Sequence, residues 1–430
     1  MRRRFVLSLS CLLLSVSINH AEDWPRWRGP RGDGTSFETD IPTQWDAESG
    51  QNIAWKVPIP GIGHSSPIVS GDRIFLSTFL PETNDRQLLC LDRLRGEVRW
   101  QQTVFTAPVE TKHTLNSYAS GTPVTDGETV YVTFLKVDGS TIPAPNVGTP
   151  RPVTPGQIVV AAYDFEGEQK WLATIGEFIS AHGFASSPVL FENLLIINGD
   201  HDGEGYLAAL DKQTGETVWK IDRPHGIRSY CTPIVREVDG RTQLVISGSQ
   251  SIISYDPRTG SEYWRIEGPA EQFVASMVFD GEYFFMACGY PTHHVMALRP
   301  DGTGDVTDTH VVWHSEESKS YVPSPVLVDR RLYVPDDRGT ASCYDTKTGE
   351  RVWRARLGEH FSPSLVTAGG FVYFLADDGT TKVVRADNGP EAEVIAENRL
   401  GERCSASPAI AHGHLYIRTH EHLFAIGPQP

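Results

Sequence analysis

The sequence LDKQTGETVW (residues 210–219) returns in four variants along the chain, and this repeat indicates the fold class. The variants are LDRLRGEVRW (91–100), YDFEGEQKW (163–171), YDPRTGSEYW (255–264) and YDTKTGERVW (344–353). Each combines an aspartate, a glycine suited to a tight turn, and a tryptophan on the strand after the turn. In four of the five copies the tryptophan follows the aspartate by 8 residues, so the turn length fixes the register of the two strands.

A second marker alternates with the first: a Ser or Thr followed by Pro opens an apolar stretch that reads as a hairpin. One full repeat takes 45 residues between Trp219 and Trp264, which matches a four-stranded propeller blade. The markers are Ser66-Pro67, Thr122-Pro123, Ser187-Pro188, Thr232-Pro233, Ser324-Pro325, Ser362-Pro363 and Ser407-Pro408, with Ser276-Met277 filling the one gap.

The order of the markers predicts how the ring closes. The chain begins with an unpartnered tryptophan unit containing Trp55 and ends with a hairpin near His422–Ile426 that lacks one. The seventh unit keeps Asp387 and Gly389 but has lost its tryptophan. We therefore predict an all-β protein, an eight-bladed β-propeller with four-stranded blades, closed by an N-terminal strand that completes the last blade and protects the sheet edges.

These repeats resemble those of the PQQ-like, quinoprotein-type propeller family over roughly residues 50–427. The family includes dehydrogenases that bind pyrroloquinoline quinone (PQQ) and an outer-membrane assembly lipoprotein with the same fold and no cofactor. The opening DWPRWRGPRGDGTS (23–36) is also similar to exported PQQ-like repeat proteins of planctomycetes. The implied organisation is a signal peptide at 1–21, an N-terminal extension at 22–49 and a propeller at 50–427.

The first 21 residues combine three arginines, an apolar run and a small-residue end, which predicts a cleaved signal peptide. We therefore expect a periplasmic or extracellular protein, with no transmembrane segment in the mature chain. The formal net charge is −16, and loss of the three N-terminal arginines would make it −19. Such a surface repels nucleic acid and anionic lipid, so neither is an expected partner.

The resemblance to the dehydrogenases implies PQQ, calcium and a disulfide between adjacent cysteines, but this chain has no Cys-Cys pair. Nor does a matching Glu, Asn and Asp ligand set appear, so PQQ and calcium are disfavoured and we expect no cofactor. The remaining cysteines fall in separate repeats, as small buried strand residues do. No metal site is expected at Asp200, Asp202 and Glu204, at His293-His294, or at His412, His414, His420 and His422.

The residues that precede each inner strand should converge at one end of the central channel and form a ligand pocket. Arg228, Lys319 and Arg403 predict a positively charged floor, which together with protonated histidines suits a small anion. The alternative is an ordinary solvated channel mouth. The candidate ligand-binding residues are His64, Asn116, Tyr118, His182, Arg228, Tyr230, Gln272, Lys319, Tyr321, His360 and Arg403.

These observations favour an exported, monomeric propeller that acts as a binding or assembly scaffold for a protein partner or a small anionic ligand. The alternative is a quinoprotein-type oxidoreductase that uses PQQ and calcium in the central channel. No Gly-x-Ser-x-Gly motif supports a serine hydrolase. The sequence leaves open whether the protein catalyses any reaction.

Overall fold

The computed structural model describes residues 21–146, 151–387 and 389–429, which form β-strands and turns without any helix. No part of the described chain therefore makes a helix able to cross a membrane. The predicted signal peptide lies outside the described residues except for Ala21.

The strands of the described residues are numbered here in chain order. They are β1 (Ile53–Pro58), β2 (Ile68–Ser70), β3 (Arg73–Leu80), β4 (Asp85–Asp92), β5 (Val98–Thr106), β6 (Val124–Thr125), β7 (Thr129–Val137), β8 (Ile142–Pro143), β9 (Pro152–Val153), β10 (Gly156–Asp164), β11 (Gln169–Phe178), β12 (Val189–Phe191), β13 (Leu194–Gly199), β14 (Tyr206–Asp211), β15 (Thr217–Asp222), β16 (Ile234–Val238), β17 (Arg241–Gly248), β18 (Ser251–Tyr255), β19 (Glu262–Glu267), β20 (Val278–Phe279), β21 (Phe284–Cys288), β22 (His294–Leu298), β23 (Gly304–Asp305), β24 (Val311–Ser315), β25 (Val326–Val328), β26 (Arg331–Pro335), β27 (Thr340–Asp345), β28 (Arg351–Arg356), β29 (Val366–Ala368), β30 (Phe371–Leu375), β31 (Thr380–Arg385), β32 (Val394–Arg399), β33 (Ala409–Ala411), β34 (His414–Arg418) and β35 (His422–Ile426).

Eight antiparallel sheets of four strands each form the blades, which confirms the predicted fold class. From the inner strand outward, blades 1 to 7 are β2-β3-β4-β5, β6-β7-β10-β11, β12-β13-β14-β15, β16-β17-β18-β19, β20-β21-β22-β24, β25-β26-β27-β28 and β29-β30-β31-β32. Blade 4 gains the short parallel strand β23 at its outer edge, and β8 and β9 form a separate small hairpin within blade 2.

Blade 8 is composite, with the order β33-β34-β35-β1. Its outer strand β1 pairs antiparallel with β35, so that Trp55 faces Ala425 and Lys56 faces Phe424 across the ladder. Three strands of this blade thus come from one end of the propeller sequence and the fourth from the other. Backbone hydrogen bonds between distant residues hold the ring together at this point.

The tryptophans of the repeat bind each blade to the next one. In six cases the indole N–H donates to the carbonyl just after the turn aspartate, or its equivalent, in the following blade, over 2.8–3.2 Å. A turn glycine of that blade lies against the same ring: a Cβ added to Gly349 would lie 2.5 Å from Trp313. Trp264 is fully buried and Trp219 is 9% exposed, which fits packing between blades. The motif therefore encodes the blade interface.

Hydroxyl groups link the inner strands around the channel. Ser407 donates its backbone N–H to the Ser66 hydroxyl, and Ser364 donates likewise to the Ser407 hydroxyl, both over 3.0 Å. The assignment of Ser362 as the marker of blade 7 was two residues too early. The Ser-Pro-Ser sequence offers two candidates, and β29 begins two residues after Ser364, the same offset as in the other blades.

The N-terminal extension crosses the end of the channel where the inner strands finish. Trp24 is fully buried and bridges Val69 at the end of β2, and Thr35 bridges Thr367 within β29. The buried Arg28 donates to the Pro325 carbonyl at the start of blade 6. The segment also contacts blades 4 and 8, on opposite sides of the ring: Arg236 donates to Asp33 over 2.9 Å, and His412 lies 2.7 Å from Asp23. It therefore covers this end of the channel. The opposite end contains the candidate site.

Candidate functional site

A cavity of about 240 Å³ lies on the propeller axis, at the end where the inner strands begin. All eight blades contribute to its wall, because the segment that enters each blade passes the axis before its inner strand starts. The lining residues are His64, His113, Leu115, Asn116, Ser120, His182, Ala185, Tyr230, Val274, Tyr321, Val322, Asp337, Ser362 and Ser405. Five of them, His64, Asn116, His182, Tyr230 and Tyr321, belong to the predicted set.

Three of the other predicted residues are absent from the lining and contact neighbouring protein groups instead. Tyr118 packs edge-on against a phenylalanine of blade 1, with ring centroids 4.7 Å apart. Gln272 is buried, and its Oε1 accepts a hydrogen bond from the Tyr321 hydroxyl over 3.2 Å. The Nδ1 atom of His360 lies 2.8 Å from an Asp377 carboxylate oxygen. These side chains hold neighbouring groups in place, and a role in ligand binding remains a prediction for all of them.

The predicted positive floor is absent from the residues that line the cavity, none of which is Arg or Lys. Arg228 is buried against Asp202, 2.5 Å away, so a carboxylate already balances its charge. Its Nε donates to Nδ1 of His182 over 3.3 Å, which places the guanidinium behind that ring. Lys319 and Arg403 are exposed to solvent. This expectation was wrong because the sequence does not show which cations are already paired.

The histidines of the cavity are neutral at physiological pH. Burial lowers the pKa of His64 to about 3, with a further contribution from the neighbouring His420 ring. Burial, and then the charge of Arg228, lowers the pKa of His182 to about 3. The expectation of protonated histidines as charged donors was therefore wrong, since desolvation penalises the charged imidazolium.

Hydrogen bonds determine which ring nitrogen carries the proton in two of these histidines. Nδ1 of His182 accepts a hydrogen bond from Arg228, and Nδ1 of His113 accepts one from the Leu115 backbone N–H over 3.2 Å. A neutral imidazole with an accepting Nδ1 carries its proton on Nε2. Each ring thus has one remaining polar group, an N–H donor. These two histidines suit hydrogen bonding to an acceptor and do not suit metal coordination through Nε2.

Asp337 supplies the one carboxylate of the lining and was not predicted. It lies in the turn between β26 and β27 and accepts the backbone N–H groups of Tyr321 over 3.2 Å and Val322 over 2.9 Å. Burial raises the pKa of this carboxyl group. A sequence signal existed, because the turn between the second and third strands of a blade returns the chain to the end where its inner strand began.

The remaining lining residues were also missed. Only Asn116 and Tyr118 of the segment that enters blade 2 were assigned to the pocket, and this segment supplies three further lining residues. Small residues that precede inner strands gave no chemical signal. The missed residues are His113, Leu115, Ser120, Ala185, Val274, Val322, Asp337, Ser362 and Ser405.

The turn at Asp200 and Asp202 has a structural explanation. Asp200 pairs with Arg223 over 2.9 Å and Asp202 pairs with Arg228, and all four side chains are buried. Their carboxylates neutralise arginines from the connection between blades 3 and 4, so the acidic turn consists of two buried ion pairs.

A family model described as outer membrane protein assembly factor BamB matches residues 38–144, 152–287 and 292–429. The BamB of Burkholderia pseudomallei is 28% identical over 116 residues, 26% of this chain and 29% of the relative. The BamB of Shewanella oneidensis is 20% identical over 269 residues, 58% of this chain and 64% of the relative. The match thus spans less than two thirds of either relative.

Two solved structures show the same fold. BamB from Moraxella catarrhalis superposes with a TM-score of 0.58 at 14% identity, over 87% of this chain and 96% of that one. The quinohemoprotein alcohol dehydrogenase from Comamonas testosteroni gives 0.64 at 13% identity, over 95% of this chain and 81% of that one. Both an assembly factor and a dehydrogenase share this architecture, so the fold does not decide between the two functions.

Proposed function

Since the chain belongs to the PQQ-repeat family of the outer membrane protein assembly factor BamB, we propose that it is an exported, periplasmic scaffold that binds a partner protein at the channel face. The observation that carries the proposal is the axial cavity, to which all eight blades contribute and whose lining is neutral except for Asp337. A site assembled from every blade is rigid, because each wall segment is anchored in a separate sheet. Rigid concave sites that combine apolar surface with converging polar groups suit recognition of a protruding side chain or loop.

Exposed apolar side chains on the same face support a protein as the partner. Ile62 is 46% exposed where the chain enters blade 1, Leu115 is 50% exposed at the cavity, and Tyr290 is 50% exposed in the turn before β22. Apolar groups at interface cores are a recurrent property of protein-binding surfaces, with polar groups at the rim. The cavity would then receive one anchoring group of the partner.

The chemistry of the lining indicates what kind of group it accepts. His113 and His182 each offer a neutral N–H donor, whereas Leu115, Val274 and Val322 supply apolar surface. Neutral donors without a free cation favour an uncharged acceptor, such as a backbone carbonyl or an amide side chain, over a small anion. We therefore propose a neutral polar segment of a protein as the occupant of the cavity.

The quinoprotein alternative has less support from the site. PQQ is a flat quinone with three carboxylates, and its binding calls for cations that the lining lacks. The cysteines of the described residues are buried, free and absent from the lining. The Asn116 side-chain oxygen already accepts the Ser117 N–H over 2.8 Å and the Ser120 hydroxyl over 2.6 Å. The donor set does not fit PQQ with calcium.

Site-specific photo-crosslinking in the source cells tests the proposal. A photoreactive residue replaces Leu115 at the cavity or, as the matched control, Val218 on the outer strand of blade 3. The two positions have nearly equal exposure, 50% and 52%, so they differ in location and not in accessibility. We expect a discrete crosslinked protein from position 115 and none from position 218.

A Tyr321→Ala variant adds the test of the cavity itself. Tyr321 lines the cavity, and loss of its ring should reduce the crosslink at position 115 without loss of folded protein. Equal crosslinks from positions 115 and 218, or no crosslink from position 115, would contradict the proposed channel-face scaffold. Retention of PQQ by purified protein after addition of the quinone and Ca²⁺ and gel filtration would favour the dehydrogenase alternative.

A further inference from the structure

Blade 5 brings two histidines and a glutamate together at the channel-face end of its outer strands. In the ladder between β22 and β24, Met296 faces His314 and Val295 faces Ser315. Continuing this register by one residue places His294 opposite Glu316. Residues two apart on a strand share a face, so His294, His314 and Glu316 all lie on one side of the sheet.

The ligand atoms of these three side chains are close enough to share one ion. Nδ1 of His294 lies 2.7 Å from Nε2 of His314 and 3.9 Å from a carboxylate oxygen of Glu316. One ligand atom from each of the three lies within 4.8 Å of the others. Ligands bonded to one tetrahedral zinc at about 2.0–2.2 Å lie roughly 3–4 Å apart. Small rotamer changes would therefore suffice for coordination.

The surroundings of the two ring nitrogens of His294 are also compatible with a metal. Its Nδ1 faces Nε2 of His314, and its buried Nε2 has no hydrogen-bond partner among the described residues. With a metal on Nδ1, the ring proton would sit on Nε2. The Pro269 backbone lies near the ring, and a small movement would let its carbonyl accept a hydrogen bond from Nε2, the kind of second contact that orients the histidine ligands of metal sites.

Another cluster in the protein provides a useful contrast. Glu402, Glu421 and His422 are also close together, but Lys56 forms an ion pair with Glu402 over 2.6 Å. The ammonium group of Lys56 therefore already balances the charge of the Glu402 carboxylate. No lysine or arginine among the described residues forms an ion pair with Glu316, which is exposed to solvent beside the two imidazoles.

We propose that His294, His314 and Glu316 form a surface site for a divalent transition metal of the Zn²⁺ class. Two imidazole nitrogens and one carboxylate oxygen are a ligand set that such ions prefer over Ca²⁺ or Mg²⁺. His294 is buried and fixed by its strand, whereas His314 and Glu316 are exposed and reach the ion from solvent. The fourth position remains open to water or to a ligand from another molecule.

Isothermal titration of the full chain with ZnCl₂, after removal of any affinity tag and dialysis against a chelator, tests the site. We expect one zinc per chain with a Kd below about 10 µM. His314→Ala should weaken binding at least about tenfold, and Glu316→Gln by a smaller factor. Both positions are exposed, so the folded protein should persist.

His225→Ala is the matched control. His225 is an exposed histidine whose Nε2 lies 3.0 Å from a carboxylate oxygen of Glu267. This pair contains only one imidazole, whereas the proposed site contains two. We expect this variant to bind zinc as the wild type does. With Co²⁺ as the probe, the intense visible d–d bands of a four- or five-coordinate ion should appear in the wild type and in His225→Ala and be lost in His314→Ala. No saturable binding up to about 1 mM, or equal affinity in wild type and His314→Ala, would overturn the proposal.

Discussion

Gly349→Ala should weaken the protein more than any ordinary turn substitution, because the turn glycine contacts the tryptophan of the preceding blade. Gly349 has φ +70°, and an L-residue in that region costs about 1–2 kcal/mol. The new Cβ would also lie 2.5 Å from the Trp313 ring, and overpacking of this kind costs about 1–3 kcal/mol. We expect the free energy of unfolding to fall by about 2–5 kcal/mol in urea titrations followed by fluorescence.

Gly240→Ala separates the two contributions. Gly240 has φ +76°, nearly the same backbone conformation, but nothing lies within 4 Å of an added Cβ. In this variant the free energy of unfolding should fall only by the cost of placing an L-residue at positive φ, about 1–2 kcal/mol. The difference between the two variants measures the contact between blades. Equal losses in both would refute the inference that the motif glycine is required by the neighbouring tryptophan.

Trp264→Ala should lower the free energy of unfolding by about 3–5 kcal/mol, because the ring is fully buried. Trp264→Phe should lower it by only about 1–2 kcal/mol, because this variant chiefly loses the indole hydrogen bonds to Gln243 and the Pro300 carbonyl. Deletion of residues 22–57 removes β1 and should lower the melting temperature of the whole ring, since β35 then becomes an open edge; an unchanged melting curve would contradict that role. His64 has a pKa of about 3 in the fold against an ordinary 6.5, so the folded state resists its protonation and stability is lost as pH falls below 6.5. Wild-type melting temperatures should therefore fall more steeply than those of His64→Gln between about pH 6.5 and 4.5, and parallel curves would contradict the lowered pKa.

The sequence was sufficient for the architecture because each blade repeats the same local requirements. An Asp–Gly turn of fixed length, a following tryptophan and an inner strand after Ser or Thr occur often enough to count blades. The unpartnered Trp55 indicated that the last blade takes a strand from the N-terminal side. Only blade 7 was misaligned, where two serines flank one proline and both fit the pattern. Periodicity could not choose between Ser362 and Ser364, whereas hydrogen bonding does.

The candidate site was predictable in position but less so in composition. Counting back from each inner strand correctly placed five side chains, including His64 and Tyr321, around the axis. It could not find Asp337, which reaches the cavity from a hairpin turn 16 residues after Tyr321. It also could not distinguish a side chain that faces the axis from one that lies behind it, because inner-strand entries are irregular and lack the two-residue alternation of a strand.

The largest discrepancy concerns charge, and it has a single structural origin. From the sequence, Arg228 and Asp202 were treated separately: Arg228 was assigned to a cationic floor, and Asp202 was considered only as a metal ligand and rejected. The fold buries them together across the boundary between blades 3 and 4. An isolated buried charge is costly, so an arginine held behind His182 requires such a carboxylate. The ion pair removes the cation from the cavity, while the nearby guanidinium still lowers the pKa of His182 and fixes its tautomer. The pair thus leaves the lining without a cation. The neutral donors of His113 and His182 are therefore the basis for the proposed recognition of an uncharged acceptor on a protein over capture of an anion.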